Sequence, residues 1–186
     1  MVNVTARRLL LSGMLMPVIY LAMFVLAASL TPDFHWRVDE PSQLGIASAP
    51  YRLLYDTGMI ATAAAGMLAA AGLFHGLRRT RGGIVLAGAT AAALLLASAG
   101  IAMAGLFPLP SPFHYGFGLT TAGILVPAFG AFALLRTAGG RRDALRLALI
   151  LALIVALVVR GAPPLLVGLA MFAAIAYLCL AVRTRL

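Results

Sequence analysis

Long runs without a charge alternate along this chain with short clusters of arginine. The uncharged runs are Leu9 to Pro32, Thr57 to Leu77 with His75 near its end, Gly82 to Phe113, Tyr115 to Leu135, Leu147 to Val159 and Gly161 to Val182. A helix rises about 1.5 Å per residue and the hydrocarbon core of a bilayer is about 30 Å thick, so about 20 apolar residues cross it. The third run is long enough to include a loop. The fifth has only 13 residues and reaches spanning length if Ala144 to Arg146 join it, with Arg146 snorkelling toward the headgroups. Breaks are marked by Pro32, Pro41 and Pro50, by Pro108, Pro110 and Pro112, and by Pro163 and Pro164. The pattern predicts an all-α integral membrane bundle of six transmembrane helices forming one domain over 1–186. Their expected limits are about 9–31, 51–77, 84–107, 115–135, 144–160 and 164–182, with an outer loop over 33–49.

Composition agrees with this reading. With 63% hydrophobic residues, 10% charged residues and a mean hydropathy of +1.04, both a soluble domain and a disordered chain are excluded. The single Cys179 supplies neither an internal disulfide nor a zinc-ribbon ligand set, so helix packing must hold the fold.

A net charge of +9 would point to a polyanionic partner in a soluble protein, but here every basic residue is an arginine and the clusters alternate sides. With the amino terminus inside, Arg7, Arg8, Arg78, Arg79, Arg81, Arg136, Arg141, Arg142, Arg146, Arg183 and Arg185 are inside, eleven of the fourteen. Arg37, Arg52 and Arg160 are outside, as are all the acidic residues except Asp143. The charge is thus a topology signal, with both termini cytoplasmic in a bacterial inner membrane. Membrane lipids are the expected partners and nucleic acid is not one. Arg7 and Arg8 followed by an apolar stretch also resemble a secretory signal, but about 24 apolar residues exceed the core of such a signal, so the segment is expected to stay as the first span.

In lipid, close helix contacts come from small residues and interhelical hydrogen bonds. Gly58, Thr62, Gly66 and Ala70 recur every four residues on the second span, and Gly72 and Gly76 repeat the spacing. Gly88, Ala92, Ser98, Gly100 and Gly105 of the third span are the expected counterparts. Pro127 is a candidate kink in the fourth.

Ionisable and polar residues near the membrane core are the best guide to a site. They gather on the outer side: His35, Asp39, Glu40 and Ser42 in the first loop, Arg52, Tyr55 and Asp56 at the start of the second helix, and His114 in the third loop. Arg52 and Asp56 are four apart and share a helix face, so they read either as an interfacial ion pair or as part of an outward-facing pocket capped by the loop. Asp56, His114, Arg52, Tyr55, His35, Glu40 and Ser42 are the candidate ligand-binding residues. His35, Asp39, Glu40, Asp56 and His114 carry metal donors, yet there is no HExxH, no histidine pair at helical spacing and no cysteine cluster, so neither metal nor cofactor is expected. The scattered methionines read as core filler.

Ser42-Gln43-Leu44-Gly45, the helix that follows, the Arg78-Arg79 turn and the stretch from Gly100 to Phe107-Pro108 together resemble the DUF998 family of small polytopic membrane proteins. The resemblance runs from about Leu9 to Leu135 and matches at Ser42, Gly45, Phe107, Pro108 and His114. It implies a six-helix architecture and carries no catalytic assignments.

Three functions are open on these grounds. One is a binding module for a lipid or isoprenoid-like amphipathic ligand. Another is an outer-leaflet enzyme, with Asp56 or Glu40 as base and His114 as acid or metal ligand. The last is a structural or regulatory subunit, a homo-oligomer or a partner of another membrane protein, that presents the Gly58 to Gly76 stripe on an exposed face.

Overall fold

The computed structural model describes residues 2–36, 38–78 and 83–186. Arg37, Arg79 and Arg81, counted above in the charge asymmetry, lie outside the described residues. Six α-helices are present among them: α1 (Val2–Ser29), α2 (Arg52–Leu77), α3 (Gly83–Leu106), α4 (Leu125–Leu135), α5 (Arg141–Val159) and α6 (Pro164–Arg183). Short 3-10 segments cover Pro41–Gly45 and Gly116–Ile124, and no strand occurs among the described residues. Five segments are long and apolar enough to cross a membrane: Val4–Ser29, Arg52–Leu77, Gly83–Leu106, Gly116–Leu135 and Pro164–Arg183.

Consecutive helices pack side by side, and α6 returns to pack on α1, closing a ring. Gly72 lies against Leu10, and Gly76 against Val182 and Leu186, so the start of α1, the end of α2 and the end of α6 meet at one end of the bundle. Large apolar side chains such as Val18, Val25, Leu53, Val85, Phe132 and Leu149 face outward, the inverse of a soluble surface and the arrangement lipid favours.

The small-residue stripe of α2 is the seam of the bundle. Thr62, Gly66, Ala70, Gly72 and Gly76 are all buried. A Cβ at Gly58 would strike Met23, one at Gly66 would strike Ser98 and Met16, and one at Gly72 would come within 2.9 Å of the Leu10 nitrogen. The stripe therefore faces α1, α3 and α6 within the chain, which removes the expectation of an exposed oligomerisation face. Its counterparts on α3 are Ser98 and Gly105, whereas Gly88 has open space beside it and Ala92 is exposed. Buried hydroxyls turn back on their own helices: Thr62 donates to the Gly58 carbonyl and Thr90 to that of Leu86, each at 2.8 Å.

Pro127 does not kink a continuous helix. It is the third residue of α4, in a first turn whose N–H groups lack intrahelical acceptors in any case, and α4 is preceded by the 3-10 segment Gly116–Ile124. The segment opens with left-handed backbone at Gly116, Phe117 and Gly118. Gly116 and Gly100 let two backbones touch, since a Cβ at Gly116 would come within 2.8 Å of the Gly100 Cα.

At the end that carries both termini, the charged first turn of α5 is tied to α6. Asp143 accepts hydrogen bonds from the Tyr177 hydroxyl and from Arg185, while Arg146 donates to Tyr177 at 3.1 Å and to Asp143 at 3.5 Å. The Tyr177 hydrogen bond, opposed by burial and reinforced by Arg185 and Arg146, holds the Asp143 carboxyl below the ordinary carboxylate range. A depressed native value contributes stability that is fully present above about pH 4 and is lost as pH falls through that native value. Asp143→Asn is accordingly expected to destabilise the protein by about 1.5 kcal/mol at pH 7. Thermal unfolding in detergent should show the gap to wild type closing below about pH 4; a gap that stays constant with pH would contradict this assignment.

Candidate functional site

At the opposite end of the bundle the connection from α1 to α2 folds back over the helices. Pro41 starts a 3-10 turn whose Pro41, Leu44 and Gly45 are buried, with Leu44 in the core. A Cβ at Gly45 would come within 2.7 Å of the Tyr55 ring, so glycine is what allows the loop to settle on α2. Phe34 anchors the loop's first half, edge-on to Phe24 of α1 with ring centroids 5.9 Å apart.

Under this cap is a polar cavity of about 210 Å³ lined by Tyr20, Glu40, Pro41, Ser42, Tyr55, Gly100, Ala104, His114, Tyr115, Thr120 and Pro164. Four of the candidate residues, Glu40, Ser42, Tyr55 and His114, thus come to one wall system although they come from three separate segments. Ser42 donates a hydrogen bond to Glu40 Oε2 at 3.2 Å. His114 is buried and its Nδ1 is 2.9 Å from the Phe107 carbonyl oxygen, which fixes the ring's orientation. Prolines around residues 108–112 and the left-handed turn at 116–118 bend the chain so that this histidine points back into the bundle.

The other three candidates are placed differently. Asp56 is buried beside the cavity and does not line it. Its Oδ2 is 3.3 Å from Arg52 Nε, and its Oδ1 is buried without a hydrogen-bond partner, beneath Gly45. Arg52 holds that carboxylate and likewise stays out of the cavity. His35 lies outside the cavity lining: its side chain is 77% exposed, and its Nδ1 is 3.0 Å from the Asp33 carbonyl oxygen. Its backbone N–H donates to Asp39 Oδ2 at 2.6 Å, so His35 and Asp39 close a local turn in the loop. No group of three His, Cys, Asp or Glu side chains able to hold a metal ion occurs among the described residues.

A second, apolar crevice of about 470 Å³ adjoins the cavity, between α1 and α6 on one side and α3 and the 116–124 segment on the other. Met16, Leu94, Ile101, Met171, Phe172 and Ile175 contribute to its walls, and it shares Tyr20, Thr120 and Pro164 with the polar cavity. These shared residues are absent from the candidates read from sequence. Tyr20 had one signal available, a hydroxyl in the middle of an apolar run. Thr120 and Pro164 had none, because their role comes from the bend at 116–124 and from the return of α6.

Long apolar helices, outward-facing aliphatic side chains and charge confined to the two ends define a multi-pass helical membrane protein. Residues 14–184 match the family described as Protein of unknown function (DUF998), and the chain belongs to that family. No curated protein and no solved structure matches it.

The Arg52–Asp56 pair has a direct test. Removing the half-exposed arginine leaves the buried Asp56 carboxylate uncompensated, so Arg52→Ala is expected to cost about 2 kcal/mol. Asp56→Asn in the same chain should restore most of it. If the double variant loses as much stability in thermal unfolding as the sum of the singles, the two side chains are not coupled.

Proposed function

We propose that the capped end of the bundle binds a lipid or isoprenoid-like amphipathic molecule. Its polar head would sit among Glu40, Ser42, Tyr55 and His114, and its apolar chain would run into the crevice. The observation that carries this reading is adjacency: a small polar cavity and a larger apolar one share the wall residues Tyr20, Thr120 and Pro164, and together they match the polarity of an amphipathic molecule. Two of the polar groups there are tied to their own neighbours. Nδ1 of His114 is engaged with a backbone carbonyl and Ser42 donates to Glu40, so Ser42 is not paired to an imidazole as an activated nucleophile would be. Binding fits this arrangement better than catalysis does.

Native mass spectrometry of protein purified in mild detergent tests the proposal. A discrete adduct with a polar head and a long apolar chain is expected from wild type. Met171→Trp, which fills the crevice, should abolish it, and His114→Ala should weaken it by about tenfold, the effect of about 1.4 kcal/mol of lost head-group contacts. Absence of any discrete adduct, or equal retention by both variants, would sink the reading.

We further propose that α5 is a sixth span and that both termini are cytoplasmic. The supporting geometry is that Asp143, at the start of α5, meets Arg185 at the end of α6, while Val158 near its other end faces the crevice beside Pro164. The helix thus runs the length of the bundle alongside α4 and α6. Among the described arginines, only Arg52 and Arg160 lie at the capped end. Cysteines introduced at two exposed positions test the orientation, with the native Cys179 buried and expected to stay unlabelled. Ser48→Cys should react with a membrane-impermeant maleimide on intact cells, whereas Ala138→Cys should react only after lysis. The opposite pattern would invert the topology, and labelling of both on intact cells would remove one of α2, α3 and α4, which separate them, from the span count; Arg160→Cys, exposed just beyond α5, should also react on intact cells, and its protection until lysis would remove α5.

A further inference from the structure

At the end that carries both termini, a groove of about 430 Å³ opens between α4 and α5, away from the cavity described above. Its volume is within the range of about 300–1,000 Å³ typical of small-ligand sites. Alanines on the two facing helices, Ala128 and Ala131 on α4 and Ala144 and Ala148 on α5, hold the helices together without filling the space between them, and Phe132 and Leu145 form its rims. The only charged residue lining it is Arg141.

The charge around this groove is one-sided. Arg136 directly follows the lining residue Leu135, and Arg142 follows Arg141; all three arginines are exposed. The only acidic residue in the chain after Asp56 is Asp143, and Tyr177, Arg146 and Arg185 already engage its two oxygens. Among the described residues no ion pair involves Arg141, which stands at the edge of an apolar groove on a membrane protein.

We infer that the α4–α5 groove is a binding site for an anionic phospholipid, with an acyl chain lying against the alanine-lined seam and the phosphate held by Arg141. An apolar seam between helices that ends at Arg141, with Arg136 and Arg142 exposed beside it, matches both halves of such a lipid, and basic pockets between transmembrane helices recognise anionic head groups in this way. A zwitterionic lipid fills the same seam and gains less from Arg141, because its own ammonium offsets the phosphate charge.

The test adds dioleoyl phosphatidylglycerol or dioleoyl phosphatidylcholine to delipidated full-length protein in mild detergent and measures bound lipid by native mass spectrometry. Wild type is expected to hold the phosphatidylglycerol about fivefold more tightly, the effect of about one well-placed arginine at a membrane surface. Arg141→Gln should bring the two lipids to parity, Ala148→Trp should lower retention of both by filling the groove, and Arg160→Gln at the capped end should behave as wild type. Equal retention of the two lipids by wild type overturns the inference. So does a preference that survives Arg141→Gln, or one that Arg160→Gln removes equally, since either result would assign it to another site or to net charge. If Arg141→Gln fails to fold by circular dichroism, Ala148→Trp decides: undiminished binding of phosphatidylglycerol in that variant overturns the site. His114→Ala leaves this groove untouched, so the result here is independent of the ligand proposed for the capped end.

Discussion

The close approach of α2 to its neighbours is the constraint on which the rest of this structure depends. In lipid there is no hydrophobic gain in moving a leucine from hydrocarbon to protein, so helices associate where their backbones can come near each other. Gly58, Gly66, Gly72 and Gly76 provide that along one face of α2, and Met23, Met16, Leu10 and Val182 occupy the space where Cβ atoms would be. Methionine suits the positions against Gly58 and Gly66 because its unbranched thioether can follow an irregular gap. With α1, α2 and α3 held this way, α6 has a fixed surface to close on, while α5 packs through the thin stripe of Ala144, Leu147 and Ile154.

Tight packing on one side of the ring explains looseness on the other. The chain between α3 and α4 cannot continue as an α-helix through Pro108, Pro110 and Pro112, and the left-handed residues at 116–118 turn it back onto α3. The resulting 3-10 segment presents Thr120, Thr121 and Ile124 toward α6 without filling the gap, which leaves the apolar crevice. The same bend carries His114 to the inner surface of the cap. Crevice and polar cavity are therefore two consequences of one interruption in the helical path.

Much of the architecture was legible in the sequence because membranes impose strong rules on length, hydropathy and arginine placement. Five spanning-length apolar helices and the turn positions follow from those rules. The grouping of polar residues was legible only by side. Glu40, Ser42, Tyr55 and His114 share a cavity, but nothing in their spacing distinguished them from His35, which differs only in being drawn into a local turn with Asp33 and Asp39. The glycine stripe was visible as a stripe, yet whether it faces inward or outward depends on where α1 and α6 lie, and a one-dimensional period does not carry that information. The 3-10 path of 116–124 was hidden for a similar reason, since its apolar composition suits an α-helix and only the backbone approach of Gly116 to Gly100 requires otherwise.

The two buried or half-buried aspartates show how sparse polar groups divide the work in such a chain. Asp143 has three donors and pins the start of α5 to the end of α6. Asp56 has one arginine on Oδ2 and none on Oδ1, although its burial makes an unmet acceptor expensive. A carboxylate serving only to fasten helices would be expected to look like Asp143, with its acceptors satisfied. The incomplete partnering of Asp56, beneath the loop that closes the polar cavity, places the less settled electrostatics at the end of the bundle where the ligand is proposed to enter. It leaves the well-tied aspartate at the end where the arginines face the membrane surface.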